Sequence, residues 1–454
     1  MDSLQGKRVL VLGYGRQGRA LARWLPTRGA SVTVSDRRPL EPALDELPPG
    51  ARVEFVSGDH SPDLLDETDL MCLSGGVPLD TPMVREARRR GIPLTNDAQL
   101  FMERCPAPVI GITGSAGKTT TTSLVAAMLE AAGRQVWTGG NIGHVLLDDL
   151  GRMQAGDVVV MELSSFQLEL MTCSPQLAVV LNVTPNHLDR HGTMEAYAAA
   201  KARILDFQGG EDCAILGHDD GGSRALKSQV RVGLAWFGRE RPPGDGAWCQ
   251  DEDLWLAGRC AENGEAQSVC ARADSPLPGP HNLMNLLAAC ATAGAAGVAA
   301  PAMAQAIRDF RGVPHRLETV RSLEGVTWVN DSIATAPERV VAALRSYDGP
   351  LILLAGGVDK QLPWEDMLRL ALQKSRCIIT FGHFGEAIRD MTLALGGAGA
   401  AVCNVAGLDE AVALAAGRAQ AGDVVLLSPG GTSFDAYRDF AERGAHFRRL
   451  VEAL

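Results

Sequence analysis

Nowhere does the 454-residue chain run for ~18 apolar residues without a charge, the length a membrane-crossing helix needs, so the sequence predicts no transmembrane segment and no membrane partner. The opening MDSLQGKRVLVLG lacks the basic, apolar and small-residue regions of a secretory signal, and the protein is expected in the cytoplasm. Its ten cysteines are scattered with no CxxC pair. That spacing gives no support to a zinc site or a disulfide framework and leaves them as small buried hydrophobes. Positive charge is in deficit, 43 Lys and Arg against 54 Asp and Glu, for a formal charge of −11. Such a balance argues against sequence-independent nucleic-acid binding, while a local cationic pocket for a small anion stays compatible with it. Short-period repeats and low-complexity tracts are also absent. What remains is 46% apolar, 21% charged and rich in glycine (50), the composition of a globular protein with many tight turns. At about 150 residues per domain, this length predicts two or three domains.

Short apolar runs alternate with helix-like stretches: RVLVLG (8–13), SVTVSD (31–36), VEFVSG (53–58) and LMCLSGG (70–76). That rhythm predicts βαβ units around a parallel sheet. A second block starts at VIGITG (109–114) and continues through VVVMELSS (158–165) and LAVVLNVTP (177–185). Between them a helix is predicted over 119–132, with Leu124, Ala127, Met128 and Ala131 on one face. Residues 238–280, rich in Gly and Pro, read as short strands and turns ahead of a helix over 282–294. A third series comprises VTWVND (326–331), LILLAGG (351–357), CIITFG (377–382), AVCNVAG (401–407) and DVVLLSPGG (423–431). The fold class is therefore α/β with three blocks: a Rossmann-like domain at 1–98, a central domain built on a phosphate-loop type of parallel sheet at 99–313, and a second Rossmann-like domain at 314–454.

Two glycine motifs carry the chemistry. Gly13-Tyr14-Gly15-Arg16-Gln17-Gly18 follows a predicted strand and opens a helix, with Asp36 at the end of the next strand. Glycines there permit a tight turn and close backbone approach to phosphate, so a dinucleotide such as NAD(P) or FAD is one natural ligand. Arg16, Arg37 and Arg38 either meet a pyrophosphate or lie in solvent. The second motif, Thr113-Gly114-Ser115-Ala116-Gly117-Lys118-Thr119-Thr120, joins a strand to a long helix. Backbone N–H groups can surround phosphates, Lys118 can reach the β/γ oxygens, and the Thr119 hydroxyl can bind Mg²⁺. Ile112 stands where the strict pattern has glycine, so the loop is a shortened variant.

Glu162 and the stretch Asn182–His187 end predicted strands, where α/β proteins bind ligands and where a carboxylate and an imidazole can hold a metal. Lys201 lies in YAAAKARIL, and spacing alone reads it as a solvated helix lysine. Asn282 and Asn285 share a helix face; capping explains the first, and a polar pair near a base would explain both.

Taken together, TGSAGKTT, ELSSFQLE (162–169), NVTPNHLDRHG (182–192), the Lys201 stretch, GPHNLMN (279–285), GVPHRLE (312–318), NDS (330–332) and SPGGTSFDAYRDFAERG (428–444) occur in one order. The set resembles the Mur ligases, ATP-dependent amino-acid ligases of peptidoglycan precursor synthesis, and within them the branch that adds glutamate. The resemblance implies that ATP activates the carboxylate of UDP-N-acetylmuramoyl-L-alanine (UDP-MurNAc-L-Ala) as an acyl phosphate, which the amine of glutamate attacks. It gives the first glycine turn a uridine diphosphate instead of NAD, with Gly15, Arg16, Gln17, Asp36, Arg37 and Ser74 toward that substrate. Gly114, Ser115, Ala116, Gly117, Lys118, Thr119 and Thr120 would hold ATP, with Lys118 on the γ-phosphate. Thr119, Glu162, His187 and Lys201 would serve two Mg²⁺ ions, Lys201 as a carbamate. Asn282, Asn285, Arg316 and Asp331 would line the nucleotide pocket, Asn141 and His187 would reach the muramoyl group, and Thr335, Lys360, Ser433 and Phe440 would surround glutamate. A monomer is expected.

Departures from the family pattern fall at Ile333 and Ala336, where Lys and Asn are usual, and at Pro185-Asn186 before His187. Loss of that lysine removes a charge between the ATP and glutamate sites and opens the choice between D- and L-glutamate. Two other readings stand beside the ligase: an NAD(P)-dependent oxidoreductase, which would use GYGRQG and Asp36 and leave the Lys118 loop idle, and a non-catalytic nucleotide-binding regulator, against which the intact Lys118, Glu162, His187 and Lys201 argue.

Overall fold

Apolar runs that end in glycine become buried parallel strands, and the connections between them decide where ligands can sit. The computed structural model describes residues 3–40, 42–141, 143–277, 279–360, 362–396 and 401–454, the Asp189 side chain excepted. Among these, no helix is long and apolar enough to cross a membrane.

The first sheet contains β1 (Arg8–Leu12), β2 (Ser31–Asp36), β3 (Val53–Ser57), β4 (Leu70–Leu73) and β5 (Leu94–Thr95). Its order is β3-β2-β1-β4-β5, and all pairings are parallel. Val9, Leu10, Val11 and Leu12 are all buried, as expected for a strand covered on both faces. Chain order reverses at β1, so its carboxyl end opens onto the crevice where parallel sheets bind ligands. The helix Arg16–Thr27 starts there and buries Ala20, Leu21, Trp24 and Leu25.

The second sheet has nine strands: β6 (Val109–Thr113), β7 (Val136–Gly140), β8 (Val158–Glu162), β9 (Leu177–Val180), β10 (Cys213–Gly217), β11 (Gly233–Phe237), β12 (Gly246–Gln250), β13 (Asp253–Gly258) and β14 (Gly264–Ala271). They lie in the order β14-β13-β12-β11-β10-β9-β6-β8-β7. The sheet expected to be parallel is parallel only from β7 to β12; β12–β13 and β13–β14 pair antiparallel. Connections in this stretch are too short for the crossover that a parallel pair requires. Here too the order reverses, at β6, which lies between β8 and β9.

After β6 comes the helix Lys118–Ala131. The predicted stripe is only partly right: Leu124 and Met128 are buried, but Ala131 is exposed, and Val125, Ala126 and Leu129 are buried as well. The helix Ala300–Asp309 packs against it, so the helix is covered on more than its sheet side.

The third sheet holds β15 (Glu318–Leu323), β16 (Val326–Asn330), β17 (Leu351–Gly356), β18 (Ser375–Phe381), β19 (Ala401–Val405) and β20 (Val424–Gly430). Its order is β15-β16-β20-β17-β18-β19, with only β15–β16 antiparallel. The chain forms two compact units, Met1–Ser275 with His281–Phe310, and Pro276–Pro280 with Arg311–Leu454. The first unit carries the first two sheets, and the second carries the third.

Candidate active site

At the end of β1 the chain turns through Gly13 at φ 89°, a left-handed conformation that favours glycine. Close packing fixes the end of the turn: a Cβ on Gly18 would lie 2.0 Å from the Gly13 carbonyl oxygen. Gly15 caps the helix that follows, and Gln17 Oε1 accepts the Gly75 N–H at 3.3 Å. Ser74 is buried against the turn, its Cβ 3.1 Å from where a Gly13 side chain would begin. Asp36 braces the turn, accepting the N–H of Tyr14 at 2.8 Å and of Arg38 at 2.9 Å. Burial opposes its ionisation, yet these N–H groups and the Arg38 guanidinium hold its carboxyl below the usual range. The three arginines divide. Arg37 is exposed, Arg38 stays on Asp36 at 3.4 Å, and Arg16 reaches the second sheet, donating to the carbonyls of Asn141 at 2.7 Å and Gly143 at 2.9 Å.

The loop after β6 is built on backbone positions that exclude side chains. Gly117 caps its helix at φ 84°, and a Cβ there would lie 2.3 Å from Asn285 Oδ1. Asn282 and Asn285 are both buried and joined at 3.0 Å, while Thr121 Oγ1 lies 3.4 Å from Asn285 Oδ1, so the asparagine pair secures the loop. Asn182, beyond β9, clasps the loop on its other side. Its backbone carbonyl takes the Ser115 N–H at 3.0 Å, its side-chain oxygen takes the Ala116 N–H at 2.8 Å, and its Nδ2 donates back to the Ala116 carbonyl at 3.1 Å. Two of the loop amides expected to face phosphate are therefore engaged inside the protein. The first turn of the helix, Lys118 to Thr120, has no capping side chain, so its amides are the ones left for an anion to meet.

Two lysines meet at this turn. Lys118 Nζ and Lys201 Nζ each donate to the carbonyl oxygen of Gly114 at 2.9 Å. Lys201 is not the solvated helix lysine that spacing suggests: it is 1% exposed on the helix Met194–Asp206, also bonded to Thr113 Oγ1 at 3.3 Å. Burial, and then the charge of Lys118, push its pKa well below the usual lysine range, against the pull of Glu162. Glu162, buried at the end of β8, accepts from Thr119 Oγ1 and from Asn141 Nδ2, each at 2.9 Å. Hard oxygen donors at Thr119 and Glu162 suit a small divalent cation. His187 is exposed at φ 53°, with its ring 5.3 Å from Phe166.

Sequence reasoning missed His191. Its buried ring stacks on Phe166 at 5.1 Å, touches Ser165 Oγ at 2.9 Å and Glu169 at 3.2 Å, and lies against Tyr197. Tyr197 in turn donates to Ser115 Oγ at 3.0 Å and lies under the Lys201 ammonium. No local pattern marks this histidine, because its partners come from two other helices.

In the second unit, Asp331 follows β16 and is buried, accepting from Ser428 Oγ at 2.8 Å and from the Leu317 N–H at 3.2 Å. Burial outweighs these bonds and pushes its carboxyl up to about 7. Arg316 sits between two left-handed residues, His315 (φ 64°) and Leu317 (φ 44°). Thr335 and Lys360 are joined directly, Nζ to Oγ1, at 3.1 Å. Ser433 is buried just beyond β20, and Phe440 opens the last helix with its ring 6.4 Å from His315. Arg443 is a further residue the sequence did not single out: 1% exposed, it donates to Ser332 and Gly431.

Asn182→Ala is expected to lose the two side-chain bonds to Ala116, each worth about 0.5–1.5 kcal/mol. Hydrogen exchange should speed up at the Ala116 amide more than at Ser115, whose bond goes to backbone. Equal change at both amides would refute the clasp.

Three family descriptions match successive parts of the chain: the Mur ligase MurD-like N-terminal domain at residues 7–96, the Mur ligase middle domain at 112–293, and the Mur ligase glutamate ligase domain at 315–431. Among curated relatives, the UDP-N-acetylmuramoylalanine--D-glutamate ligase of Symbiobacterium thermophilum is 42% identical over 99% of this chain and 98% of its own length. That of Pelotomaculum thermopropionicum is 40% identical, again over 99% and 98%. Among solved structures, UDP-N-acetylmuramate-alanine ligase MurC from Thermotoga maritima has a TM-score of 0.58 at 18% identity, covering 98% of this chain and 99% of that one. MurF ligase from Thermotoga maritima in complex with ADP has a TM-score of 0.56 at 18% identity, covering 100% and 99%. The structural likeness speaks for the three-domain α/β fold, and the full-length identity goes further: this chain belongs to the Mur ligase family.

Proposed function

We propose that this chain joins D-glutamate to UDP-MurNAc-L-Ala at the expense of ATP, by way of an acyl phosphate. Membership of the family makes it an ATP-dependent carboxylate–amine ligase. The observation that carries the reading is the convergence of Lys118 and Lys201 on Gly114 beside an uncapped helix N-terminus, in a chain whose relatives are named for D-glutamate addition. The domain limits 1–98, 99–313 and 314–454 belong to the same proposal, supported by family matches at 7–96, 112–293 and 315–431. It would act in the cytoplasm as a monomer.

Joining a carboxylate to an amine at neutral pH needs a better leaving group than oxide, and a phosphoryl group provides one. The substrate carboxylate attacks the γ-phosphorus and ADP departs; glutamate nitrogen then attacks the acyl carbon and phosphate departs. For both steps the protein supplies position and charge. Lys118 would neutralise the transferring phosphoryl group, and the first-turn amides would hold the phosphates. Thr119 and Glu162 would hold the Mg²⁺ that, when bound, screens phosphate charge. His187 and a carbamylated Lys201 would serve a second ion. Burial beside Lys118 favours the neutral amine of Lys201, and a neutral amine adds CO₂ with loss of one proton to become an oxygen-donor anion. Asn282, Asn285, Arg316 and Asp331 would border the adenine nucleotide. Asn141 would meet the muramoyl group, and Gly15, Gln17, Asp36, Arg37 and Ser74 would form the uridine diphosphate end.

Arg16 is recast by its bonds to Asn141 and Gly143 as a link between these last two regions rather than a phosphate ligand. Ile333 and Ala336 keep L-glutamate as the competing substrate.

A phosphate-release assay is expected to require ATP, UDP-MurNAc-L-Ala and glutamate together, with the D-enantiomer preferred. No product with either enantiomer would refute the ligase, and preference for L-glutamate would correct the substrate. Lys118→Ala should lower kcat on the order of 10²–10³-fold, the usual loss for a group that stabilises transition-state charge, while UDP-substrate affinity is retained. A parallel loss of that affinity would contradict the assignment of the two glycine motifs to separate ligands. With ¹³C-bicarbonate, a carbamate carbon resonance should appear in the native protein and vanish in Lys201→Ala; its absence from both would leave Lys201 an amine.

A further inference from the structure

The turn from Ser332 to Thr335, in the second compact unit, is gripped by three cations. Arg339, in the first turn of the helix Pro337–Leu344, donates from Nη1 to the carbonyl oxygen of Ile333 at 3.3 Å. That oxygen also accepts the Thr335 N–H at 2.9 Å. Lys360 holds the other end of the turn through Thr335 Oγ1 at 3.1 Å. From the interior, Arg443 donates to Ser332 Oγ at 3.0 Å and to the Ser332 carbonyl at 2.9 Å.

Every hydrogen bond described for Arg339, Lys360 and Arg443 ends on a carbonyl or hydroxyl oxygen, and none ends on a carboxylate. Gathering like charges is unfavourable even with Glu338 and Asp435 near them, and their effect on one another is visible. Burial first, then Arg339 and Arg443, lower the pKa of Lys360, opposed only by Glu338. Arg443 is committed to the Ser332 hydroxyl and to the carbonyls of Ser332 and Gly431. Arg339 is exposed and uses one of its five N–H donors at long range, which leaves the planar fork that pairs with a carboxylate through two parallel bonds. Among the described residues, its side chain's acceptor is the backbone oxygen of position 333, where this chain carries isoleucine.

We propose that Arg339 binds one of the two carboxylates of the incoming glutamate, supplying from the helix the positive charge that position 333 lacks. The inference rests on the ligase reading and adds a specificity-determining residue to it: Lys360 and Arg339, one on each side of Thr335, select an amino acid with two carboxylates over one with a single carboxylate.

The test is steady-state kinetics of the full chain with the glutamate enantiomer that the native protein prefers. Arg339→Ala should raise the KM for glutamate by about 10-fold to 100-fold, the value of a charged hydrogen bond, with the KM for ATP and for UDP-MurNAc-L-Ala changed by less than about twofold. Adding Ile333→Lys to Arg339→Ala should recover most of the loss, which a merely structural arginine would not allow. An unmoved KM for glutamate, or a parallel rise in all three KM values, would overturn the inference while leaving the ligase intact. Absence of native turnover with both enantiomers would overturn the ligase reading and this inference with it.

Discussion

Two lysine side chains on one carbonyl oxygen, Lys118 and Lys201 on Gly114, set the terms for everything around them. At an effective dielectric of ~20, two unit charges about 4 Å apart interact by about 4 kcal/mol, a large share of a domain's usual net stability. Such a pair of charges persists only if negative charge is brought to it; otherwise one lysine gives up its proton, the course that burial favours for Lys201. Glu162 supplies part from within, and it is fixed for that task, one oxygen on Thr119 and the other on Asn141. The remainder would come with phosphate. The bonds of Asn182, Asn285 and Tyr197 fix the loop around the pair.

Much of the fold could be read from runs of apolar residues. Strand β2 spans 31–36 as predicted, and the strands β1, β6 and β16 differ from the predicted runs by a residue or so. Strand β7, VWTGG, was not legible because its two glycines read as a turn, and β15, ETVRSL, was hidden by polar residues beside an antiparallel partner. The switch from parallel to antiparallel pairing at β12 follows from connection lengths, which the Gly- and Pro-rich composition of that stretch only hinted at.

Side-chain roles were legible where they depend on local geometry and obscure where they depend on tertiary partners. Lys118 follows from its motif alone. The burial of Lys201 cannot be deduced from alanine-rich neighbours, because it arises when the helix Met194–Asp206 turns one lysine toward the end of β6. Likewise the bond from the Tyr14 amide to Asp36 joins residues 22 positions apart, and the amides of Ser115 and Ala116 looked available until Asn182, 66 residues away for the second, took them up.

Arg16 joins the first glycine turn to the loop at Asn141 and Gly143, and it does so through carbonyl oxygens. A carbonyl is offered by every residue, whatever its side chain. The hold therefore depends on the path of the loop, which Gly143 takes at φ 53°, more than on its side chains. Other side chains of the loop can change without unfastening it from the first glycine turn, whereas a change in its path would displace the acceptors. The same asymmetry makes this seam suited to domain exchange: a graft that preserves loop length and keeps Arg16 would carry the alignment of the two halves with it.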